Sequence, residues 1–204
     1  MKEIYVIGNG GQARVVESSL KLLKLKYKNI TKIFKNINDK DVELKIRSKR
    51  NKIYLHIAIG DNLIRKRIYD FFKKKNYTFF SIVDITANIR SVIKKNYGIY
   101  IAAHSFVGPK VKIGENCIIN TRSLIEHDCT IKKHTSINPG AILLGSCAID
   151  EKVTIGAKSI LRENIKVGKN SFIGMGSVVI KNCDKNKMYF GNPAKLIKKI
   201  KNIN

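Results

Sequence analysis

The stretch IGENCIINTRSLIEHDCTIKKHTSINPGAILLG, residues 113–145, decides the fold. Its aliphatic residues follow neither the three-to-four spacing of a helix nor the simple alternation of a half-buried strand. Written in sixes, it places Ile113, Ile119, Ile125, Ile131, Ile137 and Leu143 at the head of each hexad. The register holds outward from there, from Ile101 to Val179, through fourteen consecutive hexads headed by Ile, Val or Leu. The fifth residue of each hexad is small or β-branched. A six-residue period marks a parallel β-helix, in which each coil of short strands buries the face of its neighbour. At three hexads per coil, fourteen hexads predict between four and five coils. Glycine at the second position, as in Gly108, Gly114, Gly156, Gly168 and Gly174, predicts a tight corner there.

The register also places the cysteines and histidines. Cys117, Cys129, Cys147 and Cys183 all take the fifth, inward position, where a free thiol behaves as a small apolar group. No CxxC-like pair is present, so neither a metal site nor a disulfide is expected. His127 is third in its hexad, past a corner, between Glu126 and Asp128. One coil is eighteen residues, so Pro109 and Gly145 stack below and above it. Gly145 would leave the space over the imidazole empty and offer a bare N–H to a carbonyl oxygen gaining charge. Asp128 or Glu126 could orient the ring and raise its basicity. Such a group suits acyl transfer; the alternative is an ordinary surface histidine. His104 and His134, fourth in their hexads, are expected at the surface without a role. His56, inside the apolar run IYLHIAIG, is expected in the core.

Before the hexads the period differs. KEIYVIG, residues 2–8, predicts a buried strand, followed by a glycine turn and a helix through GNGGQARVVESSLKLLK. A second strand is predicted over Ile53–Gly60, and then an amphipathic helix over DNLIRKRIYDFFKKK, capped by Asp61 or Asn62. Strand–helix alternation implies a small parallel α/β domain. The division expected is residues 1–84 for that domain, 85–187 for the β-helix, and 188–204 for a tail or helix.

Hydrophobic residues make up 44% of the 204, which excludes a disordered chain. No apolar run reaches a membrane span, and the N-terminus lacks the shape of a signal peptide. A cytoplasmic protein with no membrane insertion is the expectation. The net charge of +25 is spread from Lys2 to Lys201 without an aromatic ladder. That predicts a solvated lysine-rich surface rather than nucleic-acid binding, with a field that favours phosphate-bearing substrates.

Several segments, IYVIGNGGQARVV, IAIGDNLIRKRIY, INTRSLIEHDCTI, IGMGSVVIKN and GNPAKLI, occur in this order along nearly the whole chain. In them the chain resembles the NeuD/PglD family of sugar acetyltransferases. The resemblance implies a Rossmann-like α/β subdomain followed by a left-handed parallel β-helix. It also implies a homotrimer with active sites between neighbouring subunits, and acetyl-CoA as co-substrate without a metal. On that pattern His127 is the general base and Asp128 supports it. Asn120 falls where the acceptor sugar is met. Gly145, Gly156, Ala157, Met175 and Gly176 fall where the CoA groove is lined. The turn Gly8, Asn9, Gly10, Gly11 and Gln12 resembles the family's nucleotide-sugar loop, and backbone N–H groups at a helix start suit phosphate.

Two places depart from the pattern. A second histidine expected nine residues after the base is Ser136. Acidic residues that the family often carries after its own second strand are replaced in IFKNIND, where Phe34, Lys35 and Asn36 stand. The resemblance implies transfer of acetyl to an amino or hydroxyl group of a nucleotide-linked or sialic-acid-like sugar in surface glycan biosynthesis. The alternative, which Ser136 favours, is a non-catalytic trimeric β-helix scaffold or sugar-binding protein.

Overall fold

A computed structural model describes residues 3–30 and 39–200; Phe34, Lys35 and Asn36 lie outside the described residues. The first part is a three-stranded parallel sheet of β1 (Glu3–Ile7), β2 (Tyr27–Asn29) and β3 (Ile53–Ile57), in the order β2-β1-β3. Helices α1 (Gly11–Leu22), α2 (Asp39–Ile46) and α3 (Asn62–Lys74) accompany it. β1, α1, β3 and α3 lie where the apolar pattern puts them. Asp61 caps α3, its Oδ1 accepting from the N–H groups of Leu63 and Ile64 at 2.9 and 2.8 Å. β2 and α2 carry no legible apolar period, and the sequence does not announce them.

From Ile82 the chain winds into a left-handed parallel β-helix of about six turns. Strands eighteen residues apart pair in parallel and build three faces. One face carries Ile82, Tyr100, Ile118 and Ser136 outward and is covered by the α/β domain. The second presents Phe106, Leu124, Ile142, Ile160 and Val178 outward, an apolar row on the outside of the coil. The third presents Lys112, Thr130, Ala148 and Lys166. Inside, the head residues of the hexads, such as Val107, Ile125, Leu143 and Leu161, are fully buried, as are Cys117 and Cys129. Burial pushes the thiols of Cys117 and Cys183 up to about 12, so they are inert at neutral pH.

Three expectations need correction. The solenoid starts at Ile82 rather than residue 85, and it has more coils than fourteen hexads predict. Val83 and Ile89 continue the six-residue register backwards, but Lys95 breaks it. The segment after 188 is not a helix: Lys187–Phe190 joins the docked face in parallel, and Lys195–Lys199 pairs with it antiparallel. Nor is the second-position glycine the corner's left-handed residue. From His104 to Gly176 every sixth residue, the fourth of its hexad, has φ between 55° and 68°. The second-position glycines instead allow coils to approach. A Cβ on Gly114 would lie 2.6 Å from Lys133 N, and one on Gly156 would lie 2.5 Å from Met175 N.

The two parts are joined by a buried polar seam. Arg65 of α3 is 1% exposed. Its guanidinium donates to the carbonyls of Ile59 and Gly60 at 3.0 and 2.9 Å, within its own domain. Across the seam it donates to Asn116 O at 3.1 Å, His134 O at 3.3 Å and Ser136 Oγ at 3.1 Å. Asn62 adds bonds to Val153 O and Thr154 Oγ1 at 3.1 and 2.9 Å. At the other end of the seam Ser19 of α1 donates to Asp84 at 2.5 Å. Burial opposes the charge of Asp84, but the bonds from Ser19 and Thr86 outweigh it and hold the carboxyl below its usual range.

His134 is therefore not a surface residue. It is 1% exposed, Nδ1 faces the Asn116 amide at 2.9 Å, and the ring meets Tyr69 edge-on. The α/β domain covers a corner that would otherwise face water. His56 is buried as expected, with Nδ1 at 2.9 Å from Phe80 O. Burial lowers both histidines from 6.5 to about 4; around His134, Asp70 works against this, and Lys66 and Arg65 reinforce it. Because the folded values are depressed, the unfolded chain takes up the extra protons as pH falls. Stability from this source is complete above about pH 6.5 and is lost progressively toward pH 4, by roughly 2–3 kcal/mol apiece near pH 4.5. Tm measured between pH 7.5 and 4.5 should fall, and the fall should be shallower in His134→Gln. Parallel profiles for the two proteins would refute the assignment.

Candidate active site

Two clusters form at opposite corners of the apolar face. The first follows its strand Leu124–Ile125. There the corner turns through Asp128, at φ 59°, which lets adjacent side chains converge. His127 Nδ1 lies 2.8 Å from Asp128 Oδ2. A carboxylate can only accept, so Nδ1 carries the proton and the Nε2 lone pair is left free to act as a base. The His127 side chain is 57% exposed. The corner is pinned by backbone: Asp128 N–H donates to Pro109 O at 3.0 Å, and Ser146 N–H to His127 O at 2.9 Å.

Gly145 does stack on His127, but the space it opens is filled by the imidazole itself. A Cβ there would lie 2.6 Å from His127 Cε1 and 2.7 Å from Nε2. Glycine is thus required for the ring to lie where it does. Among the described residues the Gly145 N–H donates to no other group. Glu126, the other possible partner, makes no bond to the ring among the described residues.

The second cluster precedes the same strand. Asn120, Gly156, Ala157, Met175 and Gly176 all lie on the corner that follows the docked face, where Met175 is 75% exposed. The glycine turn leads into α1, beside the first coils. Ser19 of α1 touches Asp84 on the first rung, and Tyr100 OH on the second rung donates to Val15 O at 3.3 Å. Ala13 and Ala58 share a buried cluster with Ala102 and Ile118. Gly8, at φ 147°, sits so close to β3 that a Cβ would meet Ala58 O at 2.2 Å. Gly10 is the N-cap of α1 without a side-chain cap, and Asn9, Gly10 and Gly11 are exposed. The Gln12 Nε2 donor is buried and has no partner among the described residues.

Within one chain, then, His127, Asp128 and Gly145 come together, and Asn120, Gly156, Ala157, Met175 and Gly176 share another corner; Gly8 to Gln12 lie at the start of α1, which packs beside the first coils. The apolar face separates the two groups. Ser136 belongs to neither. It lies half a coil from His127, donating to Asn62 Oδ1 at 2.6 Å inside the seam, so within the chain it neither adds to nor disables the histidine. The seam residues Asn62 and Arg65 escaped the sequence reading; their only signal was polar residues on the apolar side of an amphipathic helix. Among the described residues there is no group of three or more His, Cys, Asp or Glu that could hold a metal, and no helix long and apolar enough to cross a membrane.

The fold and its corner histidine define a hexapeptide-repeat β-helix protein of the transferase type. The PglD N-terminal domain model matches residues 3–72, and the bacterial transferase hexapeptide model matches residues 110–145. The chain thus pairs a PglD N-terminal domain with hexapeptide repeats and is NeuD/PglD-like. Among solved structures, the acetyltransferase domain of PglB from Neisseria gonorrhoeae superposes with a TM-score of 0.86 at 22% identity, covering 97% of this chain and 100% of that one. The same domain in complex with acetyl coenzyme A gives 0.85 at 24%, covering 96% and 99%. PerB from Caulobacter crescentus, in complex with CoA and GDP-perosamine, gives 0.86 at 21%, covering 97% and 98%.

Proposed function

We propose that the protein is an acetyl-CoA-dependent sugar acetyltransferase, working as a cytoplasmic homotrimer in surface glycan biosynthesis, with His127 as general base. The observation that carries this reading is the His127–Asp128 pair stacked against Gly145, with a free ring nitrogen and a glycine N–H that has no partner among the described residues. Nε2 takes a proton from the acceptor's amine or hydroxyl as that atom adds to the thioester carbonyl. The Gly145 N–H stabilises the resulting oxyanion. Collapse of the adduct expels the CoA thiolate, which recovers the proton from the imidazolium. The complexes of related folds with acetyl coenzyme A and with GDP-perosamine support these two substrate classes. Asn120 meets the acceptor sugar. Gly8 to Gln12 hold its nucleotide phosphates, with the unsatisfied Gln12 amide as one donor. Gly145, Gly156, Ala157, Met175 and Gly176 line the CoA groove.

Self-association follows from the separation of the two corners. If apolar faces from several copies gather on one axis, the corner of His127 on one copy meets the corner of Asn120 and Gly156 on the next. The site is complete only then. The test is thiol release from acetyl-CoA with a panel of acceptors: a GDP-linked amino sugar, a UDP-4-amino sugar, free sialic acid and CMP-linked sialic acid. Turnover on one supports the reading and names the acceptor; absence of CoA binding sinks it and favours a scaffold. A second expectation concerns Gly145→Ala. The added methyl must push the imidazole off its seat and away from Asp128, so kcat should drop by about tenfold or more, with Tm little changed because the ring is exposed. An unaltered kcat would show that the ring position is unimportant.

A further inference from the structure

The register break at Lys95 has a structural outcome at the base of the third face. The first coil lacks a third strand, and its Ser91–Tyr97 loop leaves a cavity of about 1120 Å³ over the outward surface of Lys112 and Ile113. That volume is slightly above the range usual for small-molecule sites, about 300–1,000 Å³. The cavity reaches Asp128 of the corner that carries His127. Ser91, Pro109 and His127 are stacked at intervals of eighteen residues, as are Val92, Lys110 and Asp128. Lys110 is therefore one rung, about 4.8 Å of solenoid, below Asp128.

Its charges are unequal. The acids lining it are engaged: Asp128 with His127, and Glu115 with Lys73 at 2.5 Å. Lys94 donates to Tyr97 OH at 2.9 Å, and Lys132 and Lys133 pair with Asp150 and Glu151 at 3.2 and 3.6 Å. Arg90, Lys110 and Lys112, all exposed, have no ion pair among the described residues. Three unengaged cations beside the exposed, apolar Val92 form a site for an anionic ligand with an apolar flank.

We infer that this cavity is an anion subsite for the acceptor, separate from the nucleotide phosphates assigned to the glycine turn: a carboxylate or further phosphate of the acceptor sits among Arg90, Lys110 and Lys112 while its reacting amine or hydroxyl reaches His127. The inference rests on the acetyl-transfer reading. The acceptor is the better occupant than CoA, because Asn120, assigned to the acceptor, lies on the coil of His127, whereas the residues assigned to CoA apart from Gly145 lie two and three coils further on. The acceptor is thereby an anion in its own right near the reacting sugar. A neutral sugar would leave the three cations without purpose.

The experiment compares the full-length protein with Arg90→Gln, Lys110→Gln and Lys112→Gln combined, and with His127→Ala. Calorimetric titrations use inorganic pyrophosphate and N-acetylneuraminate as phosphate and carboxylate probes. Wild type and His127→Ala should bind one of these anions alike, and the triple variant should bind it at least tenfold more weakly. With the acceptor that turns over, the triple variant should show a KM raised at least tenfold for acceptor and not for acetyl-CoA. Pyrophosphate binding alone identifies a phosphate-bearing acceptor, and N-acetylneuraminate binding alone a carboxylate-bearing one. Equal anion affinity in wild type and triple variant overturns the subsite, as does an increase in KM for acetyl-CoA instead. Anion binding that the triple variant loses, in a protein that turns over no acceptor, upholds the anion site and sinks the acetyltransferase reading separately.

Discussion

His127→Ala lowers kcat for acetyl transfer by roughly a hundred- to ten-thousandfold, the range a positioned general base supplies. The binding of both substrates changes little, because the ring is largely exposed and its partners are Asp128 and the acceptor's own proton. Asp128→Asn lowers kcat less, by about tenfold or more. An amide can donate to Nδ1 and so favour the tautomer whose proton sits on Nε2, where the base must be free. The proposed division of the site between copies adds a sharper form of the same test. His127→Ala and Asn120→Ala damage opposite corners of the apolar face. Co-assembled in equal amounts, the two inactive proteins should regain about a quarter of the wild-type sites, since some junctions then receive an intact corner from each copy. Activity of the single mutant within a few fold of wild type would falsify the base assignment. Failure of the mixture to recover, with mixed oligomers present, would place both corners in one chain's site.

Arg65→Met should destabilise the protein by about 3 kcal/mol or more. The guanidinium is fully buried and serves carbonyls on both sides of the seam: Ile59 and Gly60 in the α/β domain, Asn116 and His134 in the β-helix. Methionine fills much of the volume but leaves those oxygens buried without donors. Burial lowers Arg65 to about 10, which leaves it charged at neutral pH, so Arg65→Lys retains the charge. It loses the planar fork that reaches several acceptors at once, and should recover only part of the loss. Denaturant unfolding reads the effect directly. A Met variant as stable as wild type would mean that water or relaxation satisfies the seam. Because Arg65 grips the loop that follows β3, and Gly8 packs on Ala58 of that same loop, a loosened seam should also raise the KM for a nucleotide sugar.

The solenoid was legible from one stretch of thirty-three residues because its rule is local. Each hexad must bury one aliphatic and one small residue, and fourteen repetitions leave no competing period. His127 and its neighbour Asp128 were legible for the same reason: the register fixes which side chains stand at a corner, and eighteen residues fix what lies above and below. The glycine turn and the capped helix after Asp61 followed from equally local chemistry.

What the sequence did not reveal depends on contacts between distant segments. The register assigned His134 to the surface, and would have been right for an isolated β-helix. Docking of α3 buried it. Ser136 looked like a missing catalytic histidine until the seam showed it bonded to Asn62. The space above His127 was read as vacant, and only the stacked geometry showed the ring lying in it. The first coil was hidden by Lys95, one misfit in the period, and that misfit opens the cavity beside the catalytic corner. Sequence alone determined the coil, its corners and the histidine on them, since hexad burial is decided within one turn of chain. The tertiary structure decided which corner is covered, which is free, and that the two halves of the site lie apart, because those depend on how a separate α/β domain settles on one of three faces.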